Sequence, residues 1–512
     1  MNSTTPILPD NLSAAHQAIN ELTLKIQVLQ QQCDWFKRQI FGEKSEKVVH
    51  DRERGPLEQL WLGVEGVPNS KATPEEDTTV KEHARKRAPK QVVEDDCGES
   101  GLRFDSTVQV EESTVLPKEA EGLSPEEYVI IDTKVTERLC QRAGSYYVKR
   151  TLRPVVKVKA SGEVKSAPAP AAVLERSYAD VTLLAGIVVD KFLYHLPLYR
   201  QHQRLAQSGI TVARGNLTNW VLRTAHLLEP IYKAILLSVL QGKVVAMDET
   251  PLKAGVKEKG KLHRGYIWAL YGDKHEAAFL YSPTRALSAV EALMKSYCGV
   301  LVTDGYTVYE KLCATYPEIQ HALCWAHTRR EFFEALEYEP ERSKKAVDII
   351  SKLYEIEAEI RDKRLDDEKK QRYRIEHARD HVEKFFVWLK AEVAAGALLP
   401  SNKFLKAANY ALAREHGLRL YLSNGAVPID TNHLEREIRP FPLGRKNWLF
   451  CWSEVGADAV AILQTLIANC KIHQIDPFDY LVDVLQKIDS HSISRVEELT
   501  PRGWAILHKQ NQ

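Results

Sequence analysis

Two aspartates are the first residues in this 512-residue chain whose type and setting suggest chemistry. In Lys243-Val244-Val245-Ala246-Met247-Asp248-Glu249-Thr250 an apolar run ends in an acid, as a buried strand does when it delivers a carboxylate to a sheet edge. Gly299-Val300-Leu301-Val302-Thr303-Asp304-Gly305-Tyr306 repeats the device, with its acid 56 positions later. Hard divalent cations take oxygen ligands, and Mg²⁺ or Mn²⁺ is typically held by a few carboxylates plus substrate phosphates. Two such ions about 3.5–4 Å apart activate an attacking oxygen and stabilise a leaving one. A site of this kind usually needs a third carboxylate. A single strand-end Asp is more often a turn or helix cap. Two on matching strands, one followed by Gly-Tyr, weigh toward metal chemistry.

The densest cluster of charge lies downstream, in Asp430-Thr431-Asn432-His433-Leu434-Glu435-Arg436-Glu437-Ile438-Arg439-Pro440, followed by Gly444-Arg445-Lys446-Asn447-Trp448. Asn432 is expected to cap a helix that begins at His433. Glu435 then falls in the first turn, with Arg439 at i+4. The plain reading of that spacing is a helix with an i,i+4 ion pair. Arg445, Lys446 and Trp448 offer phosphate contacts and a stacking ring.

These residues need elements to position them. Gly265–Tyr271 and Glu276–Tyr281 read as a hairpin turning at Gly272-Asp273. Ala286–Ser296 has helical spacing, and Gln320–Trp325 leads into a helical Arg329–Glu337. The order is three strands, a helix, a strand, a helix, a strand and a helix. That is the ribonuclease H-like arrangement, an α/β fold, with 243–337 as its first part. Residues 338–426 read as a helical insertion, with Arg342–Leu365 and Asp367–Ala394 as examples and the charge run as a solvated face. The core ends over 427–475, and 476–512 form a C-terminal tail.

Upstream, Leu12, Ala15, Ile19, Leu22, Ile26, Leu29, Cys33, Phe36 and Ile40 make an a/d seam, so 1–47 is expected to be a leucine-zipper-like coiled coil and a homo-oligomer contact. Residues 48–96 read as a basic linker containing Lys81, Arg85, Lys86, Arg87 and Lys90, residues able to hold DNA phosphates. Residues 97–165 read as a small β-rich module from Thr107–Glu112, Tyr128–Val135 and Tyr146–Val158. Its only cysteines are Cys97 and Cys140, too few for zinc. A stiff hinge at 166–171 opens a helical segment to 242. There a helix through Gln203–Gln207, a Gly209 turn and a helix through Gly215–Val221 suggest a helix-turn-helix.

Composition bounds the rest. Lys+Arg number 70 and Asp+Glu 69, for a net charge of +1, with 44% hydrophobic and 27% charged residues. These are ordinary globular values and exclude a largely disordered chain. No run of about 18 apolar residues is visible, so no membrane span is expected, and no secretory signal is read at the N-terminus. Eight scattered Cys read as free thiols in a reducing cytoplasm. Near-neutral charge leaves nucleic acid open as a partner, because clustering of basic residues decides that.

Taken together, the motifs resemble the transposases of the insertion sequence 66 family, over most of the chain. Ile40-Phe41-Gly42 with Ser45-Glu46-Lys47 is similar to the end of the family's zipper segment. Leu196-Pro197-Leu198-Tyr199-Arg200, Met247-Asp248-Glu249-Thr250, Asp304-Gly305-Tyr306 and Cys324-Trp325-Ala326-His327 with Arg329-Arg330 are similar to its core. The strongest stretch runs from Asn432 to Phe450, and Asp476-Pro477 with Tyr480-Leu481 is similar to its C-terminal tail.

The resemblance implies a ribonuclease H-like catalytic domain with Asp248, Asp304 and Glu435 as catalytic, metal-binding acids and two Mg²⁺ or Mn²⁺ ions. The family's pattern, an acid directly before Arg and three after Asn, selects Glu435 over Glu437. It also implies that His327 helps position the scissile strand, without zinc at the Cys324/His327 pair. Arg436, Arg439, Arg445, Lys446 and Trp448 are the expected DNA contacts. The implied activity is metal-dependent cleavage at element ends and strand transfer into target DNA. The implied setting is a bacterial cytoplasm and nucleoid, with small accessory proteins as possible partners. Two rival readings are a catalytically inactive DNA-binding relic and a nuclease that does not join strands. One departure stands out: the family's paired Cys-x-x-Cys zinc-finger motifs are missing from residues 97–165.

Overall fold

The computed structural model describes residues 103–510, apart from 105, 143, 256–261, 397 and 452. The expected coiled coil over 1–47 and basic linker over 48–96 lie outside the described residues. The first described elements are strands β1 (Arg103–Phe104), β2 (Gln109–Thr114), β3 (Tyr128–Arg142), β4 (Ser145–Val158) and β5 (Val164–Ser166). Their Val, Ile, Thr and Tyr content suits a pleated, half-buried surface. β3 and β4 pair antiparallel from Tyr128↔Val158 to Arg142↔Ser145, turning at Gly144 with φ +77°. β3 runs seven residues beyond the expected Val135 end.

This module shares its core with the helical segment. The Leu139 N–H donates to Tyr178 O at 2.6 Å and Leu139 O accepts from Asp180 N at 3.0 Å. Leu139 itself is fully buried. The expected hinge at 166–171 is tied down too, since Ala167 is buried and its carbonyl accepts from Arg153 Nη1 at 3.1 Å.

Next come α1 (Val181–Phe192), α2 (Leu198–Gln207), β6 (Ile210–Thr211) and α3 (Arg214–Leu240). Asp180 caps α1 by accepting from Thr182 N. Helix, Gly209 at φ +78° and helix do follow one another. However, α3 buries Leu217, Trp220, Val221, Leu228, Ile231 and Ile235 in the common core, so it acts mainly as a core helix.

The central sheet follows: β7 (Val244–Gly255), β8 (Leu262–Gly272), β9 (Glu276–Ser282), α4 (Leu287–Met294), β10 (Gly299–Thr303), α5 (Thr307–Thr315), β11 (Ile319–Leu323) and α6 (Trp325–Ala335). Its order is β11-β10-β7-β8-β9. β7, β8 and β9 form an antiparallel meander, while β10 and β11 add in parallel beside β7.

The inserted helices are α7 (Pro340–Asp362), α8 (Asp367–His377), α9 (Arg379–Ala394), α10 (Lys403–Ala413) and α11 (Glu415–Ser423). The sequence pattern ran α8 and α9 together, and they part at Ala378. Not all of the charge here is solvated. Buried Arg374 donates to both Glu357 oxygens at 2.6 and 2.8 Å and to the Tyr421 and Val427 carbonyls at 2.9 Å. Trp325, Phe332, Phe385, Phe386 and Phe404 pack edge-on or tilted, joining α6 to this bundle.

The chain closes with α12 (Asn432–Ile438), α13 (Pro440–Trp448), α14 (Glu454–Ile472), α15 (Pro477–Lys487) and α16 (Pro501–Gln510). By length and composition α14 is apolar enough to cross a membrane, which the sequence reading did not anticipate. In the fold it is a mostly buried core helix against β9, with polar residues in the contact. Asn469 Oδ1 accepts from Ala277 N at 3.0 Å, Asn469 Nδ2 donates to Ala277 O at 2.6 Å, and Thr465 Oγ1 accepts from Phe279 N at 3.0 Å. The helix thereby satisfies the open edge of β9, which would otherwise present unpaired backbone groups. Asn469→Leu is expected to cost about 2–3 kcal/mol, since it strands buried backbone groups. Thermal unfolding checks this, and an unchanged midpoint would show that the edge does not depend on Asn469.

Candidate active site

The register places the two aspartates side by side. β10 pairs with β7 at Val300↔Val244, Leu301↔Val245 and Val302↔Ala246. Asp304 and Asp248 each lie two residues beyond the last pair. Strand alternation therefore puts both on the same side of the sheet, on chains about 5 Å apart. Each carboxylate is also steadied locally. Asp248 Oδ1 accepts from Glu249 N at 2.7 Å, and Asp304 Oδ1 accepts from Tyr306 N at 2.9 Å, as in an Asx turn.

The loop after Asp304 is braced from below. The buried Thr303 hydroxyl donates to Asp304 O at 2.8 Å and contacts His321 Nε2 at 2.8 Å. Burial and the nearby Arg414 push His321 down to about 4, so it is neutral at physiological pH. Arg414 Nη2 donates to Gly305 O at 2.9 Å. A Cβ at Gly305 would come within 2.5 Å of Arg414 Nε, so a larger residue there would have to displace the guanidinium that holds the loop.

Glu249 sits beside Asp248 in sequence and, by strand alternation, turns to the other side. Its buried carboxylate accepts from Arg285 Nε at 2.7 Å and from the Tyr309 hydroxyl at 2.5 Å. Arg285 in turn stacks on Tyr306, 3.7 Å from the ring centroid. Glu249 is thus already neutralised, and with Arg285 and Tyr309 it forms a frame around the Asp304 loop. Sequence reasoning assigned none of these three a role. The only signal was the adjacency of two acids.

Glu435 reaches the site from α12. The helix starts at Asn432 with Thr431 at the N-cap position, so the expected Asn432 cap is corrected by one residue. Asn432 instead bonds Asp430, its Nδ2 donating at 2.6 Å. Thr431 N and Oγ1 both donate to Cys324 Sγ at 3.4 Å, which ties α12 to the start of α6. Three residues along α6, His327 Nε2 faces Glu435 Oε1 at 3.8 Å. The Cys-x-x-His pair thus fixes the helix with one side chain and meets its acid with the other. Glu435 takes His327, not Arg439, as its ionic neighbour. Glu435 Oε1 and His327 Nδ1 are buried without hydrogen-bond partners.

Electrostatics joins the three acids. Burial first, then Glu249, and after them Asp304 and Glu435 together push the Asp248 carboxyl up to about 7, against the lowering effect of its hydrogen bond from Glu249 N. Among the described residues no three His, Cys, Asp or Glu side chains are grouped closely enough to hold an ion as they stand. The six described cysteines are free.

The expected DNA contacts divide. Arg436, Arg439 and Lys446 are exposed. Arg445 is half-buried and donates to Pro251 O. Trp448 is buried at 6% exposure, with Lys191 Nζ 5.3 Å above its ring and its indole against Gly444. It therefore serves as a core residue and not as a surface stacking ring. Gly444, four residues back, leaves room for the indole to fold onto the helix.

Three stretches of the chain match known families. Residues 176–459 match the family described as Transposase IS66 family, residues 465–502 match IS66 C-terminal element, and residues 28–93 match Transposase C of IS166 homeodomain. Among curated relatives, the uncharacterized protein y4jD of Sinorhizobium fredii (strain NBRC 101917 / NGR234) is 33% identical over 70% of this chain and 72% of its own length. The uncharacterized protein y4hP of the same strain is 28% identical over 94% of this chain and 89% of its own length. With more than half of its residues inside the family match, the chain belongs to the IS66 transposase family.

Proposed function

We propose that this chain is a DNA transposase of the Asp-Asp-Glu type, cutting DNA at element ends and joining the freed 3′ end to target DNA. The observation that carries this reading is the register of β7 and β10, with Asp248 and Asp304 each two residues past the last pair on the same side of the sheet, and with Glu435 near enough to add, after burial and Glu249, to the raised value of the Asp248 carboxyl. Acids drawn in from β7, β10 and α12 would repel one another until a cation joined them. Asp-Asp-Glu transposases generally use divalent metals. The donor set suits Mg²⁺ or Mn²⁺, because it consists of carboxylate oxygens and Glu435 Oε1 is buried without a partner.

When bound, such ions supply an activated attacking oxygen and a stabilised leaving oxygen. The protein's part is positional. Asp248, Asp304 and Glu435 would hold the ions, and Asp248 would release its proton as they bind. His327, 3.8 Å from Glu435, would orient the scissile strand. Arg436, Arg439 and Lys446 would hold backbone phosphates, with half-buried Arg445 bracing them from Pro251. The strand order, with Asp248 within β7 and Asp304 just past the end of neighbouring β10, and a run of helices ahead of Glu435, supports the ribonuclease H-like reading. The N-terminal heptad supports homo-oligomer formation, and DNA as substrate supports a place in the cytoplasm at the nucleoid, with accessory proteins of the element as partners.

The test is full-length protein, with and without the element's neighbouring gene products, on a plasmid bearing the element's terminal repeats and Mn²⁺. Cut 3′ ends and joined products are expected. Cutting without joining would replace the proposal with a nuclease, and binding without cutting would replace it with a DNA-binding relic.

A further inference from the structure

A cleft of about 720 Å³ opens between α6 and α7 and reaches the first residue of α12. Apart from Asn432 of α12 it is built from α6 and α7, which carry none of the three acids, yet it adjoins two of the groups at the site. Along α6 its wall is the stripe Ala326, Arg329, Arg330 and Phe333, with His327 one position inside that stripe. Asn432 closes one end, three residues before Glu435. The volume is within the range of pockets that hold small organic ligands.

The lining has an unusual surplus. Among the described residues Arg329 and Arg330 make no ion pair or hydrogen bond to the protein, and Arg329 only rides over Phe333, 5.9 Å from its ring centroid. Glu355, the one acid on the wall, is already paired with Lys352 at 2.8 Å. Phe333 is 56% exposed, a large ring left in water. The buried Tyr354 hydroxyl lies against Asp430, the same carboxylate that accepts from Asn432 Nδ2 at 2.6 Å. Two uncompensated guanidinium groups call for an anion, and planar guanidinium forks suit phosphate. An exposed ring beside them calls for a flat partner, since a base stacked on an aromatic side chain is the recurring way single strands are held. With one amide hydrogen given to Asp430, the exposed Asn432 side chain keeps its carbonyl and second amide hydrogen for a base edge.

Resting on the transposase reading, we infer that this cleft seats an unpaired nucleotide of the strand being processed, with its phosphate on Arg329 and Arg330 and its base on Phe333. Duplex DNA keeps its bases stacked inside, so a ring in a concave cleft has nothing to engage until one nucleotide leaves the helix. Placed beside His327 and Glu435, a nucleotide held there would fix the strand next to the three acids.

The test measures binding of full-length protein, without divalent metal, to a fluorescent mixed-sequence single-stranded 12-mer and to the same sequence as a duplex. Phe333→Ala is expected to weaken single-strand binding about tenfold and to leave duplex binding nearly unchanged, with Phe333→Trp restoring it. Arg329→Ala/Arg330→Ala is expected to weaken single-strand binding and lower its salt dependence by about one counterion or more. Phe333 and Arg330 are exposed, so the variants should fold; a circular dichroism melt matching the parent makes the comparison valid. Equal single-strand affinity in parent and Phe333→Ala, or equal losses on single strand and duplex, would overturn the cleft assignment. Asp248→Asn separates this from the catalytic reading: it should keep single-strand affinity while losing plasmid cleavage. Cleft variants with parental single-strand affinity and a cutting parent would sink the cleft alone. A parent that binds through the cleft and never cuts would sink the catalysis alone.

Discussion

Asp248→Asn is expected to lower metal-dependent DNA cleavage by roughly 10³-fold, on the scale of removing a preorganised charge from a transition-state site, while leaving DNA binding largely intact. The same substitution should act on stability in the opposite direction when no metal is present. Asp248 titrates at about 7 in the fold against an ordinary 3.8. An acid whose folded value is raised contributes its stability below the unfolded value and loses it as pH rises through the folded one. Metal-free wild type should therefore lose stability between about pH 4 and pH 7, by an amount on the order of 1–3 kcal/mol. Asp248→Asn, which has no proton to lose there, should be the more stable protein at pH 8 and no better at pH 4.

Mn²⁺ should reverse that ranking. An ion that binds only the folded state adds about 2.7 kcal/mol at 100 times its dissociation constant. Wild type should gain this and an Asp248→Asn/Asp304→Asn protein should not. Thermal melts in EDTA and in Mn²⁺, across pH, read both effects. A wild type indifferent to Mn²⁺ and to pH in this window would place Asp248 outside any shared acid site.

Much of the frame of the candidate site is legible in the sequence because it rests on local pattern. Apolar runs leading into Asp are visible as strings, and β10 does end just before Asp304, but β7 runs on past Asp248 to Gly255 because its pairing with β8 continues there. The hairpin at Gly272-Asp273 is visible because its turn residues interrupt two β-branched and aromatic runs. What remained hidden depends on distant partners. Thr465 and Asn469 read as polar blemishes in an apolar helix, and their reason is the edge of a strand nearly 190 residues away. The buried Arg374–Glu357 pair looks, in one dimension, like any other charge on a solvated helix, and only the Tyr421 and Val427 carbonyls explain its burial. Trp448 beside Arg445 and Lys446 has the composition of a nucleic-acid contact. Its ring is nevertheless turned inward because Gly444 leaves space on the helix. The cap of α12 moved from Asn432 to Thr431 for a similar reason. Cys324, more than a hundred residues upstream, is the partner that Thr431 meets.

The two glutamates of α12 give the sharpest discrimination within the site. Glu435→Gln is expected to lower cleavage by roughly 10²–10³-fold, and Glu437→Gln by less than about threefold. They sit two residues apart, so a helix cannot present both to one point. Glu435 raises Asp248's proton affinity and meets His327 at 3.8 Å. Glu437 has neither relation. It is half-buried near Lys471 and Arg436, its own carboxyl is pushed up by burial, and the group it influences is the Tyr271 phenol on β8. A second readout comes from metal binding: Mn²⁺ stabilisation should fall in Glu435→Gln and persist in Glu437→Gln. His327→Gln separates a positioning role from ion holding, since it should leave Mn²⁺ stabilisation in place while slowing cleavage. Ranked rates with Glu437→Gln the worse enzyme would transfer the third acid to Glu437, and would require α12 to rotate by about half a turn from the orientation that Thr431 and Cys324 now fix.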